Sequence, residues 1–222
     1  MFKKNVVKVV ILVSGLVAAS LNAYAYDSGD FQMWQTIAED MKIGKDTKFT
    51  MEQEFRFGEN SSEFFYQHYD WGFAWSFDKR LELALGYRLI YEKYKQKWRE
   101  EDDPYTNITV KGDMWKFKLE DRSRIEYRHF RFKDDSMRYR NRFMLKYPIE
   151  FHSIKIAPYT SDEIFVSSDG TGFHQNRFQS GLEFELTKNV KADIAYMMQT
   201  SRVKSDKWSE TNVLWTKIKV SF

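Results

Sequence analysis

Arginine is the residue type with the most chemical reach in this chain, and it recurs in step with an extended backbone. Arg122, Arg124 and Arg128 are followed by Arg138, Arg140 and Arg142, all at even spacings. On a strand, residues two apart share a face, so each set projects in one direction. A guanidinium offers a rigid fork that grips carboxylate or phosphate through two hydrogen bonds. Six of them on two neighbouring strands form a ladder suited to anionic solutes or acidic oligosaccharides. Arg56, Arg88 and Arg177 fall on the same predicted face of other strands, and so do Glu52, Glu54, Asp70, Glu82, Glu92, Glu126, Glu163, Glu183, Glu185 and Asp193. The two signs are nearly balanced. Buried charges have to be paired or solvated, so the first expectation is a lumen filled by mutually paired charges, with an anion pathway as the alternative.

Hydrolytic chemistry is poorly served by comparison. A lipid hydrolase needs an activated Ser beside a His. His129, His174 and Asn176 lie near predicted strand ends on the lipid-facing side, but no Ser of distinctive context accompanies them. No catalytic residue is assigned and the chain is not expected to be an enzyme, a lipid-modifying activity being the third alternative. His68, beside Asp70, reads as a hydrogen-bonding residue of the polar face, and His152 falls in a turn. With four scattered His and no Cys, no metal-ligand spacing occurs, and no metal or cofactor is expected.

The elements that hold these residues are strands. From about residue 31 onward the apolar pattern has period two. Phe49, Met51, Phe55 and Phe57 oppose Thr50, Glu52, Glu54 and Arg56, while Leu81, Leu83, Leu85 and Tyr87 oppose Glu82, Ala84, Gly86 and Arg88. No segment sustains a helical period. Eleven strands are predicted, starting near residues 31, 47, 63, 80, 104, 116, 136, 153, 173, 189 and 208. An even number is expected of a single-chain bacterial barrel, so the prediction is 10–12. The doubtful member is residues 31–42, whose alternation is poor.

Two folds fit such a pattern: a soluble barrel with its apolar face inside, or a transmembrane barrel with that face outside. The predicted strands run longer than soluble ones and long enough to cross a bilayer. Aromatics such as Trp71, Trp75, Tyr91 and Tyr147 sit toward strand ends, where interfacial girdles belong. Short connections alternate with longer polar ones, among them Lys95 to Pro104, read as solvated loop with lipopolysaccharide or divalent ions as its possible partners. The fold class is therefore all-β: one antiparallel transmembrane β-barrel with short periplasmic turns and longer extracellular loops.

The N-terminus sets the route. Lys3, Lys4 and Lys8 precede an apolar run from Val9 to Leu21, and Ala23-Tyr24-Ala25 follows as an A-x-A site. That is the layout of a secretory signal peptide over residues 1–25, leaving residues 26–222 as the barrel domain. The run is short for a membrane anchor, and no Cys permits lipidation. The formal charge of the 222 residues is +3. Losing three Lys and no acid brings it to 0, so nothing here attracts nucleic acid. The final strand ends on Phe222, which resembles the signal read by the outer-membrane assembly machinery. Outer-membrane lipid, lipopolysaccharide and that machinery are the expected partners, in a bacterial outer membrane.

Several short stretches also resemble a bacterial family catalogued as a domain of unknown function, number twenty-four ninety. They are Asp30-Phe31-Gln32-Met33-Trp34, Glu52-Gln53-Glu54-Phe55-Arg56-Phe57-Gly58, Leu85-Gly86-Tyr87-Arg88, Arg140-Asn141-Arg142-Phe143, Asp162-Glu163-Ile164-Phe165, Asn176-Arg177 and Leu186-Thr187-Lys188-Asn189. The likeness spans nearly the whole chain after the signal peptide. It implies an outer-membrane barrel and brings no catalytic residues with it.

Overall fold

Aromatic and β-branched residues alternate with charged ones, and only three prolines interrupt them. Such a sequence cannot bury one face of a helix, but it can dress the two faces of a pleated sheet differently. The computed structural model describes residues 29–151, 154–204 and 207–222. The predicted signal peptide (1–25) and His152 lie outside them.

The chain forms β1 (Asp30–Lys42), β2 (Thr47–Gly58), β3 (Glu63–Ser76), β4 (Leu81–Tyr94), β5 (Lys97–Met114) and β6 (Phe117–Phe130). It continues through β7 (Ser136–Lys146), β8 (Ile149–Phe151), β9 (Ile154–Ser167), β10 (Gly172–Thr187), β11 (Val190–Lys204) and β12 (Lys207–Ser221). Sequential neighbours pair antiparallel. β7 and β8 both pair with β9, separated only by Tyr147 and Pro148, so they act as one interrupted strand. Proline cannot donate to a ladder, which accounts for the break. The sheet closes where β1 runs parallel to β12, from Asp30 opposite Thr211 to Asp40 opposite Ser221. The result is a closed barrel of eleven strands.

Ten of the eleven starts fall within one residue of those predicted, β5 beginning at Lys97 rather than near 104, but the barrel is not even-numbered. An odd count forces one parallel seam, and β1 supplies it. Far from being a weak or false strand, β1 pairs with β12 from Asp30 to Asp40 and with β2 from Met33 to Lys42. Its alternation looks poor because its inward face carries Gln32, Trp34, Thr36 and Ala38, a mixture rather than a charged row. A further consequence is that Asp30 lies at one end of the barrel and Phe222 at the other.

The two ends also differ less than the sequence suggests. The connections 59–62, 95–96, 131–135 and 168–171 mark what we term the loop end, and 43–46, 77–80, 115–116 and 188–189 the turn end. The largest error concerns Lys95 to Pro104. That stretch is a two-residue turn at Lys95–Gln96 followed directly by β5, whose pairing with β4 begins at Lys97. Its acids Glu101 and Asp103 are buried inside the barrel. The run of charges reads as loop when charge is equated with solvent; inside a barrel it is lumen.

The sheet has its polarity reversed relative to a soluble protein. Trp71, Phe73, Leu85, Ile108, Val110 and Phe143 are exposed on the outer face, while Glu54, Asp70, Arg88, Arg124, Glu126 and Glu163 are buried inside. Most strands have 11 to 18 residues, and about 9–11 suffice to cross a bilayer at a tilt. Among the described residues no helix is long and apolar enough to cross a membrane; the strands carry the apolar surface instead.

The β4–β5 turn places both Lys95 (φ 47°) and Gln96 (φ 67°) in the left-handed region. Two-residue hairpins of this kind favour Asn-Gly. The double change Lys95→Asn and Gln96→Gly is expected to stabilise the folded barrel by about 1 kcal/mol, read as a raised urea midpoint in detergent micelles.

Candidate functional site: a lumen closed by stacked cations

An eight-stranded barrel is filled by its own side chains and a sixteen-stranded one is an open pore. Eleven strands leave a lumen that only long or aromatic side chains can bridge. The structure bridges it with alternating rings and guanidinium groups. Arg56 lies between Tyr66 and Trp34, 3.8 and 3.6 Å from their ring centroids. Arg177 also lies over Trp34, at 4.8 Å, and over Phe165 at 4.7 Å. Arg140 lies over Phe165 at 4.6 Å. The order Tyr66–Arg56–Trp34–Arg177–Phe165–Arg140 thus runs from β3 and β2 through β1 to β10, β9 and β7. β1 and β10 are separated in the wall by β11 and β12, so the stack crosses the interior. Desolvated cation–π contacts contribute up to about 2 kcal/mol each. Trp34 and Phe165 are each 1% exposed.

Carboxylates complete the neutralisation. Glu126, fully buried, accepts from Arg140 Nη1 at 2.9 Å and from Arg138 Nε, with Arg124 Nη1 at 3.4 Å. Glu163 accepts from Arg122 Nη2 at 2.7 Å and Arg140 Nη2 at 3.0 Å, with Arg177 Nη1 at 3.8 Å. Asp70 holds Arg88 through Nε at 2.9 Å and receives the Tyr105 hydroxyl at 2.6 Å. Glu54 takes Arg56 Nε at 2.7 Å and the Thr36 hydroxyl at 2.9 Å. Arg128 donates Nε and Nη2 to Glu101. Glu52 receives Lys217 Nζ at 2.6 Å and faces His68 Nε2 at 3.4 Å. The Tyr105 ring has room to reach across because Gly86 lies beneath it: a Cβ there would sit 2.3 Å from the ring.

Every arginine of the predicted polar face points inward. The predicted ladder exists as geometry: Arg122 stands directly opposite Arg142, and Arg124 opposite Arg140, across β6 and β7. Like charges directly opposed are unfavourable, and the acids compensate from adjoining positions, Glu120 taking Arg142 at 2.9 Å. Glu183 and Glu185 sit lower, toward the turn end, pairing with Lys146 at 2.6 Å and Lys155 at 2.9 Å respectively. Phe222 joins the turn-end backbone network, donating its N–H to Asp40 and accepting from Lys42.

The histidines divide. His68 is buried among Tyr66 and Glu52, in the hydrogen-bonding role expected of it. His174 is not on the outer face. An irregularity in the β9–β10 pairing between Phe173 and Gln175 shifts the alternation, and His174 packs against Phe165 inside the loop-end cavity. His129 is outward and exposed. Its Nδ1 lies 3.0 Å from both Asp135 oxygens, and hydrogen bonds from Tyr127 and His129 hold the Asp135 carboxyl down at about 2. Asn176 is outward and donates to Asp162 at 2.9 Å.

Sequence reasoning found the charges but missed the rings between them. Trp34 and Phe165 belong to the inward rows Gln32–Trp34–Thr36 and Ser161–Glu163–Phe165, so the available signal was their parity with polar residues rather than their own type. The same holds for Glu101 and Asp103, in step with Tyr105 and Asn107.

These features define a class: a closed β-barrel, apolar outside and charged within, its lumen partitioned by stacked side chains. The chain belongs to the family described as "Protein of unknown function (DUF2490)", whose model matches residues 31–210. No curated protein matches it. Among solved structures, LpxR from Salmonella typhimurium is similar at 10% identity with a TM-score of 0.46, over 78% of this chain and 83% of that one.

Removing one charge from a buried network leaves its partners uncompensated, a loss of about 3–5 kcal/mol. Glu126→Gln, beneath three arginines, is expected to lower stability by about that amount, whereas Glu185→Gln at the exposed rim costs under about 1 kcal/mol. Urea unfolding of both variants in micelles, followed by tryptophan fluorescence, separates the two.

Proposed function

We propose that this protein is an outer-membrane β-barrel with a structural role, whose lumen is sealed at rest rather than conducting. The observation that carries this reading is the stack from Tyr66 to Arg140, which leaves no ring or guanidinium of the series without a neighbour on either side of Trp34. The reversed polarity supports membrane residence: a soluble protein rarely exposes so much contiguous apolar surface. The strand ending at Phe222 agrees with delivery by the outer-membrane assembly machinery, and the A-x-A site at Ala23–Ala25 with export. The ladder at Arg122, Arg124, Arg140 and Arg142 becomes a pathway for anionic solutes only if the stack parts.

Conductance in a planar lipid bilayer tests the proposal. The refolded wild-type protein is expected to be silent. Trp34→Ala removes the plate between Arg56 and Arg177 and is expected to give discrete openings that prefer anions. Sustained openings of the wild type under the same conditions would overturn the sealed reading. Extraction of the native protein from envelopes by alkaline carbonate would overturn membrane residence; retention in the outer-membrane fraction is expected.

A further inference from the structure

Cavities of the interior lie on either side of the stack. The chamber on the loop side has a volume near 260 Å³ and the one below it near 280 Å³. Both share Trp34, Arg56, Arg88, Arg140 and Arg177 in their linings, as expected of a partition.

The walls of the upper chamber are not neutral. Arg56, Arg88, Arg128, Arg138, Arg140 and Arg177 all line it, against Glu92 and Glu101 as the only carboxylates among the described residues. The acids that balance most of these arginines, Glu54, Asp70, Glu126 and Glu163, are absent from its lining and stand behind them or below. Arg56, Arg88 and Arg128 each grip their carboxylate through Nε and Nη2. A guanidinium held on that edge presents its Nη1 amino group on the other. Charge is therefore balanced across the protein as a whole but separated at this surface, which is cationic.

The remaining wall has a different chemistry. β1, β11 and β12 contribute Gln32, Gln199, Ser201, Ser209 and Thr211, a set of uncharged amides and hydroxyls, over a floor made by Trp34. One side of the chamber thus suits an oxyanion and the other a polyhydroxylated body. The volume admits one monosaccharide-sized molecule and no folded chain; it lies just below the usual range for small-molecule sites.

We propose that the loop-side chamber is a binding site for a small sugar or polyol bearing a phosphate or carboxylate group, with the arginines of β2, β4, β6, β7 and β10 taking the anion. The site is independent of whether the lumen conducts, because it lies on one side of the partition.

The test uses the full protein in nonionic detergent micelles, titrated with glucose 6-phosphate, glucuronate and glucose by calorimetry and tryptophan fluorescence. Saturable binding of the two anions, at least tenfold tighter than glucose and weakened by added salt, is expected. Arg177→Gln should weaken it at least tenfold, while Glu163 keeps Arg122 and Arg140 as partners. Trp34→Phe should keep binding by calorimetry while losing most of the fluorescence change. No saturable binding by the wild type, or equal binding of glucose, overturns the proposal. Unaltered affinity in Arg177→Gln, shown to be folded by heat-modifiable gel mobility, overturns it as well. If Arg177→Gln does not fold, displacement of glucose 6-phosphate by excess sulfate from the wild type decides: competition supports the site and its absence overturns it. A barrel silent in bilayers that also ignores both anions would leave the sealed reading standing and remove this one alone.

Discussion

The rest of the structure depends on one constraint: a guanidinium taken out of bulk water must be given an acceptor, a ring face, or both. Moving an unpaired ion into a low-dielectric interior costs several kcal/mol even after relaxation. Here Arg56, Arg88, Arg122, Arg124, Arg128, Arg138, Arg140 and Arg177 all enter a space enclosed by eleven strands. Glu126 and Glu163 each serve three of them. Trp34 and Phe165 serve others through their faces, which carry no charge and need no partner of their own. The aromatic share of the interior is therefore part of the electrostatic solution.

That arrangement explains which parts of the protein were legible in the sequence. The outer face is read directly, because Leu81 to Tyr87 are apolar at every second position and Phe49 to Phe57 depart from that only at Gln53. The inward rows obey no such rule. Lys217 and Lys219 share their row with Trp215, and Glu163 shares its row with Phe165, so residue type alone does not mark the face. The start of β5 is hidden in the sequence for the same reason. Four consecutive acids, Glu100 to Asp103, resemble a solvated loop until Arg128, Arg131 and Arg138 are known to meet Glu101, Asp102 and Asp103. Partners that arrive from the next hairpin leave no local trace. His174 failed differently: a single irregularity in pairing inverts every parity argument beyond it.

The stack across the interior and the cationic upper chamber draw on the same residues. Arg56 closes the lumen with its two faces and holds Glu54 with its Nε and Nη2 edge. Its Nη1 edge is left for whatever enters from the loop end. Closure and recognition therefore do not compete for the same atoms, and a barrel of this width can combine a fixed partition with a chamber above it.

The parallel seam has a consequence for how the protein is made. Each antiparallel hairpin joins residues close in the chain and can form as soon as both strands exist. The contact between β1 and β12 joins Asp30 to Thr211, nearly the full length of the chain, so it carries the largest loop-closure entropy of any pairing in the barrel. Until it forms, the sheet is an open ribbon with two bare edges, both able to accept a foreign strand. Because those edges must meet in the same direction, neither can be completed by simply extending a hairpin. Closure is a separate, late event, and the nascent ribbon needs its edges shielded until that moment.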